Sequence, residues 1–395
     1  MTFSRRDFLQ KSAAAGAASI LPADTCVREF LGLQDRDQGP DKTPKLKILI
    51  LGGTKFVGPA LVAAAAARGH TVTLFNRGRT NPHLFPELEK LKGDRNNDLK
   101  SLKSRVFDAV IDTSAYLPNQ AELSAAALKD SSFYLFISSI SVYPDLDIDT
   151  NIKTPVHRLK NPEAYDFEKL TMGDVKNNTY GPFKALCEEA IEEAMPGRVA
   201  KVRPGYIVGR KDPSDRFTYW PARVAKGGRV VVPGTPDLTI QYIDVRDLAE
   251  WCIALCEKKK AGTFNALGPN KPTAMGEFLK TCKSVSKSDA TFEWVAEDKL
   301  KNLKVSLGRS FPIWSGKGKG LDRAAICDNS HAVAAGLKFR SLEDTVADTL
   351  RFHKGRGASY RMRTGLSPKK EKAIFEALDA ARQKKSQNKE KSGAN

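Results

Sequence analysis

Short, unbroken apolar runs recur along the chain, separated by polar turns and helix-forming stretches. Residues 47–51 (K-I-L-I-L), 109–112 (A-V-I-D), 133–137 (F-Y-L-F-I) and 199–203 are such runs. A strand covered on both faces shows no polar alternation, so these runs predict buried strands of a parallel sheet. Residues 60–68 are strongly helix-forming, Gly69 closes that helix, and 71–75 (T-V-T-L-F) predicts a further strand. Strand, turn, helix and strand within about 30 residues make a βαβ unit. A helix through Cys256, a short strand at 263–267 ending in Gly268, a helix at 342–352 and a helical pattern from Ser367-Pro368 to about Arg382 follow. The tail beyond Arg382 is polar, basic and expected to be disordered. No run approaches the ~20 apolar residues of a spanning helix, which excludes stable membrane insertion. The fold class read from this order is α/β: a Rossmann-type doubly wound parallel sheet with a smaller α/β C-terminal substrate lobe.

Composition narrows the function classes. The chain has 395 residues, 41% hydrophobic and 28% charged, as a globular protein should. Its six cysteines (26, 187, 252, 256, 282, 327) are scattered and include no C-x-x-C pair, which argues against a disulfide scaffold or a structural zinc module. The five histidines (70, 83, 157, 331, 353) show no ligand spacing, so no metal is expected. A net charge of +18 favours anionic ligands: phosphates, sugar nucleotides, nucleic acid or acidic surfaces.

The first residues read S-R-R-D-F-L-Q-K and then A-A-A-G-A-A-S-I-L. Paired Arg5 and Arg6, with Ser4, Phe8, Leu9 and Lys11, resemble a bacterial twin-arginine export signal. That resemblance implies residues 1–26 as signal, 27–44 as linker, a folded passenger handed to the twin-arginine export machinery, and a periplasmic location.

A glycine turn, G-G-T-K-F-V-G at 52–58, follows the first strand directly and opens a helix. Glycines there let backbone N–H groups and the helix N-terminus approach a pyrophosphate. The turn resembles that of the extended short-chain dehydrogenase/reductases, the NAD-dependent epimerase/dehydratase family, in its G-G-T-x-F-x-G branch. The middle glycine of the usual G-x-x-G-x-x-G is Lys55 here, a departure shared by chloroplast RNA-binding relatives of the family. The second strand ends in Phe75-Asn76-Arg77-Gly78-Arg79, with no carboxylate for a ribose 2′-hydroxyl and two guanidinium groups suited to a 2′-phosphate. The cofactor expected is NAD(P), leaning to NADP. By the resemblance, Gly52, Gly53, Thr54, Lys55, Phe56, Val57, Gly58, Asn76, Arg77 and Arg79 line it. Asp94 would meet the adenine, and Thr113, Ser114 and Ala115 would lie along it at the carboxyl edge of the next strand.

The strand at 133–137 ends in Ser138-Ser139-Ile140-Ser141-Val142-Tyr143, and Tyr180-Gly-Pro-Phe-Lys184 comes later. By the family pattern Ser139, Tyr180 and Lys184 are the catalytic set, and Tyr180 and Lys184 also hold the nicotinamide ribose. A five-residue Y-x-x-x-K puts both side chains on one helix face. An ammonium one turn away is expected to favour the phenolate, so that Tyr180 moves a proton while hydride moves on the substrate carbon. Ser139 would steady the same oxygen. The Asp-Glu pair that sugar-nucleotide dehydratases place after the catalytic hydroxyl is Ile140-Ser141 here, which argues against 4,6-dehydration.

The resemblance divides the chain into a nucleotide-binding domain at 45–203, rejoined by 238–262, a substrate lobe at 204–355 and a basic C-terminal helix and tail at 356–395. Aromatic and charged residues cluster at 215–223, and Ser141, Arg216, Tyr219 and Gln241 are the candidate substrate contacts. Residues 311–314 and the glycine- and lysine-rich stretch 315–320 read as a mobile loop. The expected function is an NAD(P)-dependent epimerase or isomerase acting on a sugar or nucleotide-sugar through transient hydride transfer. An NADP-dependent carbonyl reductase, or an RNA- or polyanion-binding protein without hydride chemistry, are the alternatives. No nucleic-acid partner is expected under the leading reading, and a homodimer is left open.

Overall fold

The computed structural model describes residues 44–147, 149–314 and 326–392. The export signal, nearly all of the linker and the 315–320 stretch read from the sequence lie outside the described residues.

Seven strands form one parallel sheet: β1 Lys47–Leu51, β2 Thr71–Asn76, β3 Glu89–Lys92, β4 Ala109–Asp112, β5 Tyr134–Ile137, β6 Val199–Pro204 and β10 Gly262–Ala266. They lie in the order β10-β6-β5-β4-β1-β2-β3. Chain direction along the sheet reverses between β1 and β4, the switch point at which doubly wound sheets bind ligands outside the strand carboxyl ends. β1, β4 and β5 are buried almost throughout, which is why their sequences carry no alternation. Helix α1 (Val57–Ala67) and the later α5 (Val245–Glu257) cover one face; α2 (Pro118–Ala127) and α3 (Asn177–Ala194) cover the other. This is the Rossmann architecture.

The second lobe holds a sheet of β7 (Tyr206–Val208), β9 (Thr239–Asp244) and β11 (Gly268–Ala274), and a parallel pair, β8 (Arg229–Pro233) with β12 (Thr291–Val295). The returning segment therefore divides differently from expectation. Residues 239–244 pair within the second lobe, and the re-entry is made by α5 and β10, which runs to Ala266. Helices α4 (Tyr219–Val224), α6 (Met275–Ser286) and α7 (Leu342–Gly355) complete that lobe's core.

Two tail expectations are corrected. Phe311, Ile313 and Trp314 are buried in the second-lobe core, and the Trp220 indole donates to the Pro312 carbonyl at 2.7 Å, so 311–314 is an anchored turn rather than a loop. Helix α8 runs Pro368–Ser392, past Arg382. Its first half is held by packing of Ile374 and Leu378; beyond that, Lys, Gln and Glu continue it by propensity. No described helix is long and apolar enough to cross a membrane.

Candidate active site

The glycine turn is built for close backbone approach. Gly52 and Gly53 have φ of 108° and 87°, a region that suits glycine. A Cβ on Gly52 would stand 2.6 Å from Thr113 Oγ1, and one on Gly58 would stand 2.5 Å from the Gly53 backbone. Thr113 Oγ1 and the Asn76 amide brace the turn, donating to the Leu51 and Gly52 carbonyls at 2.8 and 3.1 Å. The turn opens α1, and the Gly58 N–H donates back to the Lys55 carbonyl at 3.1 Å. These features fit a dinucleotide pyrophosphate. Thr54 is buried; Lys55, Arg77 and Arg79 are exposed along the rim. Arg77 lies 4.0 Å from Asp94, whose Oδ1 is engaged by the Asn96 N–H and amide.

Asp112, at the carboxyl end of β4, organises the floor. Arg95 grips it with two donors at 2.8 and 2.5 Å, and Tyr134 Oη donates at 2.9 Å. The Ser114 and Ala115 N–H groups also donate to it, at 2.9 and 3.1 Å. Burial alone would raise this carboxyl, but the guanidinium and the hydrogen bonds hold it below the usual range. The 113–115 segment is thus fixed by a buried ion pair. Neither Arg95 nor Asp112 stood out in the sequence.

Ser139 closes β5 and accepts the Ser141 N–H at 3.1 Å. Lys184, on α3, is buried, and its Nζ donates to the Ala115 and Ile137 carbonyls at 2.9 and 2.7 Å. Its ammonium also lies 4.1 Å from the centre of the Phe136 ring. Burial, only partly offset by Cys187, Asp112 and Glu188, lowers the Lys184 pKa to about 8. Tyr180 is packed beside Tyr116, ring centres 6.2 Å apart, with Ser139 near enough to lower its phenol's pKa. Burial pushes the Tyr180 phenol up, against lowering contributions from Ser139 and from Arg216 across the cleft. The sequence expectation ran the other way. The nearby lysine does not outweigh desolvation, so the phenol is held protonated.

The approach of α3 to the Ser139 turn depends on Gly181. A Cβ there would lie 2.0 Å from the Ser141 carbonyl oxygen. The sequence signal was a glycine inside a helical stretch, which usually marks such a contact. Below the site, Tyr143 Oη donates to Asn265 at 2.8 Å and accepts from Arg203 at 2.7 Å, and Arg203 forks onto Glu188 of α3 at 2.9 and 2.5 Å. That buried network ties α3, β6, β10 and the turn after β5 together.

Of the four candidate substrate contacts, two stand at the cleft. Ser141 is partly exposed beside Ser139, and Arg216 is exposed over the Tyr206 ring at 4.6 Å. The other two are corrected. Tyr219 is buried beneath Gly365, where an added Cβ would meet its ring at 2.1 Å, so it is a core residue. Gln241 is buried with both amide ends engaged, donating to the Pro269 carbonyl and accepting the Cys327 N–H, each at 3.0 Å. It braces the lobe. Among the described residues no group of three or more metal-ligating side chains is gathered.

No family model matches the chain. Solved structures resemble it along most of its length. The UDP-glucuronic acid 4-epimerase of Bacillus cereus, in complex with NAD, aligns over 78% of this chain and 99% of its own, with a TM-score of 0.57 and 16% identity. The UDP-glucose 4-epimerase of Bifidobacterium longum, in complex with NAD+ and UDP, aligns over 80% and 100%, with a TM-score of 0.54 and 17% identity. The chain has the fold of these enzymes. Among curated relatives, a 2-alkyl-3-oxoalkanoate reductase of Stenotrophomonas maltophilia is 28% identical over 243 residues, 58% of this chain and 68% of its own length. A chloroplast stem-loop binding protein of Arabidopsis thaliana is 27% identical over 254 residues, 60% of this chain. The match spans 62% of that relative's length.

Proposed function

We propose that the protein is an NAD(P)-dependent epimerase or isomerase acting on a sugar or nucleotide-sugar. The observation that carries the reading is the convergence of a serine hydroxyl, a half-buried phenol and a buried ammonium at the carboxyl edge of the sheet, next to the glycine turn. Gly52–Gly58 and the Thr113–Ala115 segment would hold the dinucleotide. When bound, its nicotinamide supplies a reversible hydride acceptor. Lys184 spends two of its three donors on the Ala115 and Ile137 carbonyls and keeps one for a ribose hydroxyl. Held protonated by burial, Tyr180 would first give its proton up to solvent, favoured by Arg216 and by the positive charge of an oxidised nicotinamide; the phenolate would then take the proton of the substrate hydroxyl as that oxygen becomes a carbonyl, and return it when the carbon is reduced. Ser139 donates to the same oxygen, and Arg216 favours the phenolate in the first half-reaction. Ile140-Ser141, where an elimination would need acidic groups, argue against 4,6-dehydration and leave epimerisation or reduction.

Arg77 and Arg79 at the end of β2 support NADP over NAD, because guanidinium forks match a 2′-phosphate. The paired N-terminal arginines support export by the twin-arginine route to the periplasm. A reaction that returns its hydride lets one bound cofactor serve repeatedly where no dinucleotide pool exists.

The reductase relative supports a second reading, net reduction of a carbonyl by NADPH. Substrate nucleotide-sugar deuterated at the reacting carbon separates the two. Deuterium kept in an epimerised product supports the epimerase, while deuterium accumulating in released reduced cofactor supports the reductase. A protein that turns over neither class and shifts a stem-loop RNA in a salt-dependent way would contradict both.

A further inference from the structure

On the outer side of the glycine turn lies a second cleft of about 410 Å³. That is within the roughly 300–1,000 Å³ range of small-molecule pockets. Four segments bound it: the glycine turn, the loop after β2, the turn after β7, and the strap that follows α7. They bring Lys55, His83, Lys211, Arg356 and Arg363 to one cavity. The wall contains one acidic side chain, Asp212, whose carboxylate is turned to the Ser214 N–H and hydroxyl at 2.8 and 2.7 Å.

Arg356 is set in place before any ligand arrives. It donates to the buried Asp215 at 2.6 Å, and its guanidinium lies 3.9 Å from the Tyr360 ring centre and 5.3 Å from that of Phe352. Its Nε is buried without a hydrogen-bond partner. Asp215 also accepts Tyr360 Oη at 2.8 Å and the Arg363 N–H at 3.1 Å, so one buried carboxylate pins the whole strap against the lobe. Burial first and the Arg210 charge second lower the Lys211 pKa to about 8.

We propose that this cleft is a binding site for a phosphorylated ligand of nucleotide size. Its phosphates sit among Lys55, His83 and Arg363, and its flat organic part lies against Phe56 and the Tyr360 face of the strap. The occupant is distinct from the dinucleotide, although Thr54, Lys55 and Phe56 of the glycine turn border both sites. Donors gathered from four segments, with a preset guanidinium and aromatic walls, suit bonds to phosphate oxygens combined with stacking. The inference does not depend on hydride chemistry.

The test is calorimetric titration of ADP into the full chain, with and without saturating NADP, using wild type, Arg363→Glu and His83→Ala. The expected result is about one equivalent of ADP bound with NADP present. Arg363→Glu weakens it at least tenfold, His83→Ala weakens it less, and NADP affinity and melting temperature stay unchanged. Inorganic pyrophosphate competes. ADP excluded by NADP, or bound equally well by Arg363→Glu, overturns the proposal, as does failure of pyrophosphate to compete. If neither NADP nor NAD binds, the enzymatic reading fails, while the dependence of ADP binding on Arg363 still reports on this cleft.

Discussion

Gly181 stands between the proposed acid–base Tyr180 and the Ser139 turn, with room for a hydrogen and nothing larger. Gly181→Ala is expected to push α3 away from the Ser141 carbonyl, which is backbone and cannot swing aside. A misplacement near 1 Å costs about 100-fold in rate. Turnover should fall by at least that factor with cofactor still bound, and unchanged turnover would contradict the geometry. Tyr180→Phe removes the proton carrier and keeps the ring, so a loss of roughly 100- to 10,000-fold is expected with cofactor retained. Loss of cofactor instead would assign the phenol a structural role. Lys184 gives a pH prediction. Its folded pKa, about 8, is below its ordinary 10.5, so the buried charge penalises folding fully below about pH 8. The penalty fades as pH rises through that window, because the unfolded chain still holds the proton there. The melting temperature of wild type relative to Lys184→Met should therefore rise between pH 7.5 and about 10. A gap that stays constant would mean the amine is not desolvated.

At the scale of elements, β4 and its following segment depend on one carboxylate. Asp112→Asn leaves the Arg95 guanidinium buried without its partner, and breaking a buried pair from one side costs about 3–5 kcal/mol. A large drop in melting temperature is expected, together with weakened cofactor binding, because the Ser114 and Ala115 N–H groups lose their anchor. A near-neutral change would show that the 113–115 segment is held otherwise. The strands were legible in the sequence because burial on both faces leaves a continuous apolar run, and 47–51, 71–75 and 109–112 were placed within a residue. Ser139, Tyr180 and Lys184 were singled out by the family resemblance, and Lys184 reaches the end of the strand that leads to Ser139. The Arg95–Asp112 pair was not, since spacing along a chain does not show which charges meet across a sheet edge. Tyr219, Gln241 and 311–314 were misplaced for another reason. Aromatics beside charges have the same pattern whether they line a cleft or pack a lobe, and only burial separates the two.

For the whole molecule, the C-terminal helix is part of the second lobe. Leu366, Ile374 and Leu378 are buried there, Glu371 accepts from Arg223 at 2.8 Å, and Asp379 accepts from Arg229 at 2.7 Å. Buried side chains of this size contribute about 1.5–3 kcal/mol each. Deleting residues 366–395 should lower stability by several kcal/mol in denaturant unfolding, and a truncation that unfolds like the full chain would contradict the packing. Both lobes, the glycine turn and the Ser139–Tyr180–Lys184 set are meaningful together only if a dinucleotide spans the switch point. The direct measurement is mass spectrometry of small molecules released when the purified, undialysed protein is denatured, with NAD and NADP added back by titration. The expected result is close to one NADP or NAD per chain, or tight one-to-one binding on addition. No dinucleotide released, and none bound, would contradict the account.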